Sequence, residues 1–185
     1  MSRMLRVLLC ALLLVVAGGS VAAAAPGQSD HMVPVKGAGV GQDVSPVPGV
    51  FPGCTQGEGE ADLLWRFTSE GAAQVSHLGR VTYELTHCLH VDFTITQGVL
   101  TLQAANGDAL VLDYTGGVTQ YVPGDPDAFW EMSWAASSGT GRFAEASGTG
   151  AGFAVTHTET SPLEGTTDLT FNGMLAYDAS NRAAR

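Results

Sequence analysis

From residue 54 onward, apolar residues recur at every second position, the period of a strand with one buried face. Ala61, Leu63, Trp65 and Phe67 share one face against Glu60, Asp62, Arg66 and Thr68, with Leu64 out of phase. Val81, Tyr83, Leu85, His87, Leu89 and Val91 oppose Arg80, Thr82, Glu84, Thr86, Cys88 and His90, which aims Cys88 outward. Three further runs follow: Trp130, Met132, Trp134 and Ala136, then Ala151, Phe153, Val155 and His157, then Leu169, Phe171, Leu175 and Tyr177. Helical periodicity is all but absent, so the pattern predicts an all-β domain.

One hairpin can be placed in register. A two-residue turn at Asn106 and Gly107 would set Leu102 against Val111 and Leu100 against Asp113, scattering the leucines over both faces. A three-residue loop at 105–107, with Gly107 left-handed, pairs Leu102 with Leu110 and Leu100 with Leu112. That register is preferred, because a slip of one residue wets half the face. Seven strands are visible in this way. The eighth is expected from residues 118–122 or from a break in the long run at 80–91. The connection 116–127, with Pro123, Gly124 and Pro126, predicts a flap at one barrel mouth. Residues 25–53 carry Pro34, Pro46, Pro48 and Pro52 among several glycines, with no sustained period, and predict an extended arm.

Residues 137–148, SSGTGRFAEASG, form a glycine-rich bend between two alternating segments. Phe143 is the one large apolar residue between Ala136 and Phe153, which makes it the natural plug for a barrel end, with Arg142 and Glu145 left solvated. GTGRFAEASG resembles the GGTGRFRGARG-type segment of plant dirigent proteins and the GGSGIFEG-type segment of allene oxide cyclases. SHLGR at 76–80 and AANGD at 104–108 look like stretches of small secreted bacterial proteins with the same barrel. The resemblance spans residues 61–177 and implies a single closed antiparallel eight-stranded β-barrel with an extended N-terminal arm. Ser138 stands where the plant pattern has its first glycine. No catalytic or substrate-orienting residue of either plant family finds a match, so the resemblance implies a fold and no activity.

The ends of the chain add a destination. Arg3 and Arg6 precede an apolar stretch at 7–17, and Ala22 and Ala24 supply the small residues of a signal-peptide cleavage site. The apolar stretch is shorter than the ~20 residues a membrane span needs. The expected organisation is a signal peptide at 1–24, an arm at 25–53, the barrel at 54–178 and a tail at 179–185. The remaining chain is one domain by length.

Eighteen acidic residues against eight Lys and Arg give a net charge of -10. Such a surface repels nucleic acid and anionic lipid, so no nucleic-acid partner is expected. Cys54 and Cys88 are the cysteines left after cleavage. In an oxidising compartment they most simply form one disulfide, closing a loop of about 34 residues worth about 2–4 kcal/mol. The alternative, a catalytic thiol, would be oxidised outside the cell.

Candidate chemistry is sparse. On a strand His87 and His90 point to opposite faces and cannot chelate one ion together. A site from His77, His90 and a distant carboxylate is the remaining metal geometry. Asp125 and Asp127 lack the ligand count of a calcium loop. No G-x-S-x-G elbow occurs. No cofactor and no resident metal are expected. What remains is the barrel interior, where Trp65, Tyr83, His87, Trp130, Trp134 and Phe171 are the pocket candidates. An eight-stranded barrel either fills with side chains or holds one small ligand. The leading reading is a non-enzymatic exported barrel that binds a small apolar ligand or a surface partner. The alternatives are a cyclase or isomerase-type enzyme acting on a hydrophobic substrate, with His87 as its acid-base group, and a structural envelope-associated module.

Overall fold

The computed structural model describes residues 31–44, 52–161 and 164–178. The expected signal peptide at 1–24, the tail at 179–185 and the middle of the expected arm at 45–51 lie outside the described residues. Eight antiparallel strands close into one barrel in sequence order. They are β1 (Val33–Asp43), β2 (Leu63–Val75), β3 (Gly79–His90), β4 (Thr94–Ala104), β5 (Ala109–Tyr121), β6 (Asp127–Gly139), β7 (Ser147–Ser161) and β8 (Glu164–Ala176).

The β4–β5 hairpin takes the three-residue loop. Leu100 pairs with Leu112 and Leu102 with Leu110. Gly107 sits at φ +89°, in the left-handed region that the loop requires.

The closing strand comes from an unexpected place. Residues 33–43, expected in the arm, form β1, which pairs with β2 on one side and β8 on the other. Residues 118–121 belong to β5, and β3 runs unbroken, so neither supplies the eighth strand. The misreading has a steric cause. Gly37, Gly39 and Gly41 alternate along β1 where a hydrophobic stripe would be sought, and each faces a large or close neighbour. A side chain on Gly37 would run into the Phe171 ring, one on Gly39 into Ala73, and one on Gly41 into the Tyr83 hydroxyl. The bulk belongs to the neighbouring strands, so β1 carries no periodic signal of its own.

β7 is a second correction. Its inward residues are Gly152, Ala154 and Thr156, while Phe153 is 40% exposed. Across the β6–β7 ladder, Trp130 pairs with Ala154, Met132 with Gly152 and Trp134 with Gly150. Large residues on β6 leave room only for small ones beside them, so the most apolar face of β7 is the outer one.

One end of the barrel is plugged. A short 3-10 turn, Gly141–Phe143, buries Phe143 completely. The Phe143 ring lies 4.9 Å from that of Tyr177. Arg142 is not solvated: its guanidinium stacks over Phe143, pairs with Asp108 at 3.3 Å and donates to the His77 carbonyl.

At the other end residues 52–62, ahead of β2, lie against the outside of the wall. Cys54 and Cys88 form a disulfide. Arg66 donates to the Pro52 carbonyl at 2.6 Å, and Gln97 donates to the Thr55 carbonyl at 2.6 Å. Cys88 faces outward and is buried where Cys54 is bonded to it. No helix among the described residues is long and apolar enough to cross a membrane.

Candidate functional site at the open mouth

The unplugged end holds a cavity of about 230 Å³. β2 contributes Leu64, Trp65 and Phe67, β3 contributes Leu89, and the β3–β4 turn contributes Phe93. Val118 and Tyr121 come from β5, Ala128 and Trp130 from β6, and Thr156 from β7. The expected flap is the far end of the β5–β6 hairpin, paired from Val118 with Trp130 to Tyr121 with Ala128 and turned at residues 122–126.

Local irregularities shape the lip. A register shift between Leu63 and Trp65 lets Leu64 and Trp65 both line the cavity, which accounts for the out-of-phase Leu64. Phe93 holds φ +65°, a conformation that costs a non-glycine residue energy and persists only where its surroundings hold it. Its amide bonds the His90 carbonyl at 2.9 Å, and its own carbonyl accepts from Val118 at 3.0 Å. The Phe93 and Tyr121 rings lie 5.8 Å apart and stay 39% and 44% exposed. Two aromatic rings therefore stand half-wet at the entrance to an apolar cavity.

Below the cavity the barrel is packed. The space around His87, bounded by Phe67, Tyr114, Trp130 and Thr156 among others, amounts to about 10 Å³, too little for a ligand. His87 stacks on Phe67 at 4.8 Å and lies 5.4 Å from the Trp130 ring. Its Nδ1 is 2.8 Å from the Tyr114 hydroxyl, which also reaches the Thr86 carbonyl at 3.2 Å. The carbonyl can only accept, so the single phenolic proton goes there. His87 then donates from Nδ1 and keeps a bare Nε2, a tautomer assigned from the bonding pattern. Burial holds the His87 pKa down to about 3 and pushes the Tyr114 phenol well up, so both are neutral at physiological pH.

The pocket candidates thus divide. Trp65 and Trp130 line the mouth, and the indole nitrogens of both are buried without a partner. His87 lies one layer beneath. Tyr83 is deeper on the β1 side, its hydroxyl beside Gly41 and Ser69 and its pKa raised by burial. Trp134 and Phe171 pack edge to face at 6.4 Å away from the mouth cavity, and Trp134 donates to the Ala151 carbonyl at 3.2 Å. Leu64, Phe67, Leu89, Phe93, Val118, Tyr121, Ala128 and Thr156 complete the site without having been singled out as pocket residues from sequence. Of these Leu64 left a signal, its break in phase.

The metal geometries do not assemble. His90 bonds the Ala61 carbonyl and Thr96 beneath the outer segment, whereas His77 reaches Pro34 at the plugged end. Asp125 accepts from the Asp127 amide, and Asp127 pairs with His157. Among the described residues no group of three His, Cys, Asp or Glu side chains is placed to hold a metal ion. Comparison of the chain with known protein families, with curated proteins and with solved structures finds no match.

Proposed function

We propose that the barrel binds a small, largely apolar ligand at its open mouth, as a binding module and not as an enzyme. The observation that carries this reading is the aromatic-walled cavity of about 230 Å³ above a packed interior. Sites for drug-sized ligands run at about 300–1,000 Å³, so this one suits a smaller molecule. The half-wet Phe93 and Tyr121 rings would be covered by an occupant. The unpaired indole N–H groups of Trp65 and Trp130 offer that occupant hydrogen bonds.

The cyclase or isomerase reading needs a proton-transfer group at the ligand. His87 does not line the cavity, and Phe67 and Trp130 border both spaces. Binding therefore stands ahead of turnover. A purely structural module would not need the cavity.

Kinship with the allene oxide cyclase and dirigent barrels is part of the same proposal, supported by the buried Phe143 of GTGRF and by closure with eight strands. Export is proposed from the N-terminal sequence, and the Cys54–Cys88 disulfide favours an oxidising compartment.

The indole N–H resonances of the protein's three tryptophans test the site directly. On titration with 4-ethylphenol, those of Trp65 and Trp130 should shift and that of Trp134 should stay. No shift, or a shift at Trp134 alone, would overturn the reading.

A further inference from the structure

The cavity residues occupy β2, β3, β5, β6 and β7, and the β1–β8 sector of the same ring is polar. Asp43 ends β1 opposite Ser69, which follows Phe67 on the inner face of β2. On the other side Thr167 of β8 shares a 2.8 Å hydrogen bond with Thr156, which lines the cavity. Asp43 thus borders the mouth site from both directions, one side chain back.

Its carboxylate is unusual for this chain. Asp43 is 6% exposed, and neither oxygen has a hydrogen-bond partner. The Ser69 and Thr167 hydroxyls lean toward it but only partly offset its burial, which raises the carboxyl pKa. Other acids here have better terms: Asp108 pairs with Arg142, and Asp127 with His157. A buried carboxylate without an ion pair is costly and is relieved by a cation that brings its own hydrogen-bond donors. No Lys or Arg of the described residues is paired with it. Two positions before Ser69, on the same inner face of β2, Phe67 lines the cavity with Trp65 and Trp130, and aromatic rings also attract a cation.

We infer that the ligand of the mouth site is a small aromatic or aliphatic amine, its apolar body on Trp65, Phe67 and Trp130 and its ammonium turned toward Asp43. This rests on the proposed binding function. It adds the charge of the ligand. The net charge of -10 draws such a cation toward the protein and keeps carboxylate analogues away.

Three probes of one shape separate the terms: tyramine, its neutral isostere 4-(2-hydroxyethyl)phenol, and 3-(4-hydroxyphenyl)propionate. Calorimetric titration of the disulfide-intact chain should show tyramine binding about tenfold or more tighter than the alcohol, with the acid weakest. Asp43→Asn should remove the tyramine advantage and keep the alcohol's affinity, which also reports that the variant is folded. Equal binding of amine and alcohol by the unaltered protein would overturn the amine and leave the apolar site standing. An amine advantage that survives Asp43→Asn would overturn the role of Asp43. If none of the three binds, the mouth-site reading falls as well.

Discussion

His87 Nδ1 lies 2.8 Å from the Tyr114 hydroxyl, inside the barrel and one layer below the cavity floor. The burial of His87 makes the protein sensitive to acid. Folded His87 refuses a proton down to about pH 3, whereas an unfolded histidine takes one near pH 6.5. Above about pH 6.5 both states are neutral and the pair costs nothing. As pH falls from there toward 3, the unfolded chain binds the proton and stability drops, by up to about 1.4 kcal/mol per pH unit. His87→Leu should remove that slope in urea unfolding measured across the window. An unchanged slope would show that His87 is protonated in the fold.

Trp130 and Trp65 should separate stability from binding. Trp130 touches Phe67 and His87 as well as the cavity, so Trp130→Ala should cost about 3 kcal/mol or more and abolish ligand binding. Trp65 is only partly buried, and Trp65→Ala should cost less stability while weakening the ligand about tenfold. Leu102→Ala, on the packed inner face, should cost about 2–5 kcal/mol and leave the affinity of the folded fraction unchanged. Denaturant midpoints and titrations on the three variants decide it. Binding lost equally in all three would place the ligand elsewhere.

Reduction, or Cys54→Ala with Cys88→Ala, should cost about 2–4 kcal/mol. The effect should be local as well, since the bond pins the segment whose Thr55 meets Gln97 and whose Ala61 meets His90. Hydrogen exchange should therefore quicken on the outer face of β3 and β4 before it does on β7. Peptide mapping without reduction should recover one linked pair; two free thiols in protein isolated under non-reducing conditions would contradict it.

His157 bridges Asp127 at 2.8 Å and Asp168 at 3.3 Å on the outer wall. The hydrogen bond to Asp127 is the main cause that raises its pKa; burial opposes it, and the bond to Asp168 adds a smaller rise. Its contribution is fully present below the ordinary histidine value of about 6.5 and is lost as pH rises through the raised folded value. The site is substantially exposed, so the gain is small. A proton titration followed by NMR should show the raised value fall back in Asp127→Asn. If it does not move, Asp127 is not its cause.

Gly37→Val should cost about 1–3 kcal/mol or more by overpacking, because the new side chain meets the Phe171 ring. Pairing the change with Phe171→Ala should recover part of that loss. Purely additive losses would mean that the two positions do not share one space.

These variants also mark where local sequence stops being informative. The leucines of β4 and β5 could be paired from sequence because a short loop couples neighbours in the chain, and only one loop length keeps Leu100, Leu102, Leu110 and Leu112 on one face. Phe143 was legible as a plug because it stands alone in a polar run. The outward aim of Cys88 followed from strand alternation, and its partner from the count of cysteines. By contrast, β1 and the inner face of β7 hold small residues because large ones on β3, β6 and β8 already occupy the space. Shape complementarity with another strand leaves no inward apolar period along the strand that holds the small residues. The mouth site is of the same kind. Its cavity is walled in part by the far end of the β5–β6 hairpin, and Asp43 stands one side chain behind it because a glycine-rich strand closes the barrel. The alternation of the chain thus determined that strands would form and, outside β1 and β7, which face of each would turn inward, while tertiary packing decided which end stayed open and which charge stood near the opening.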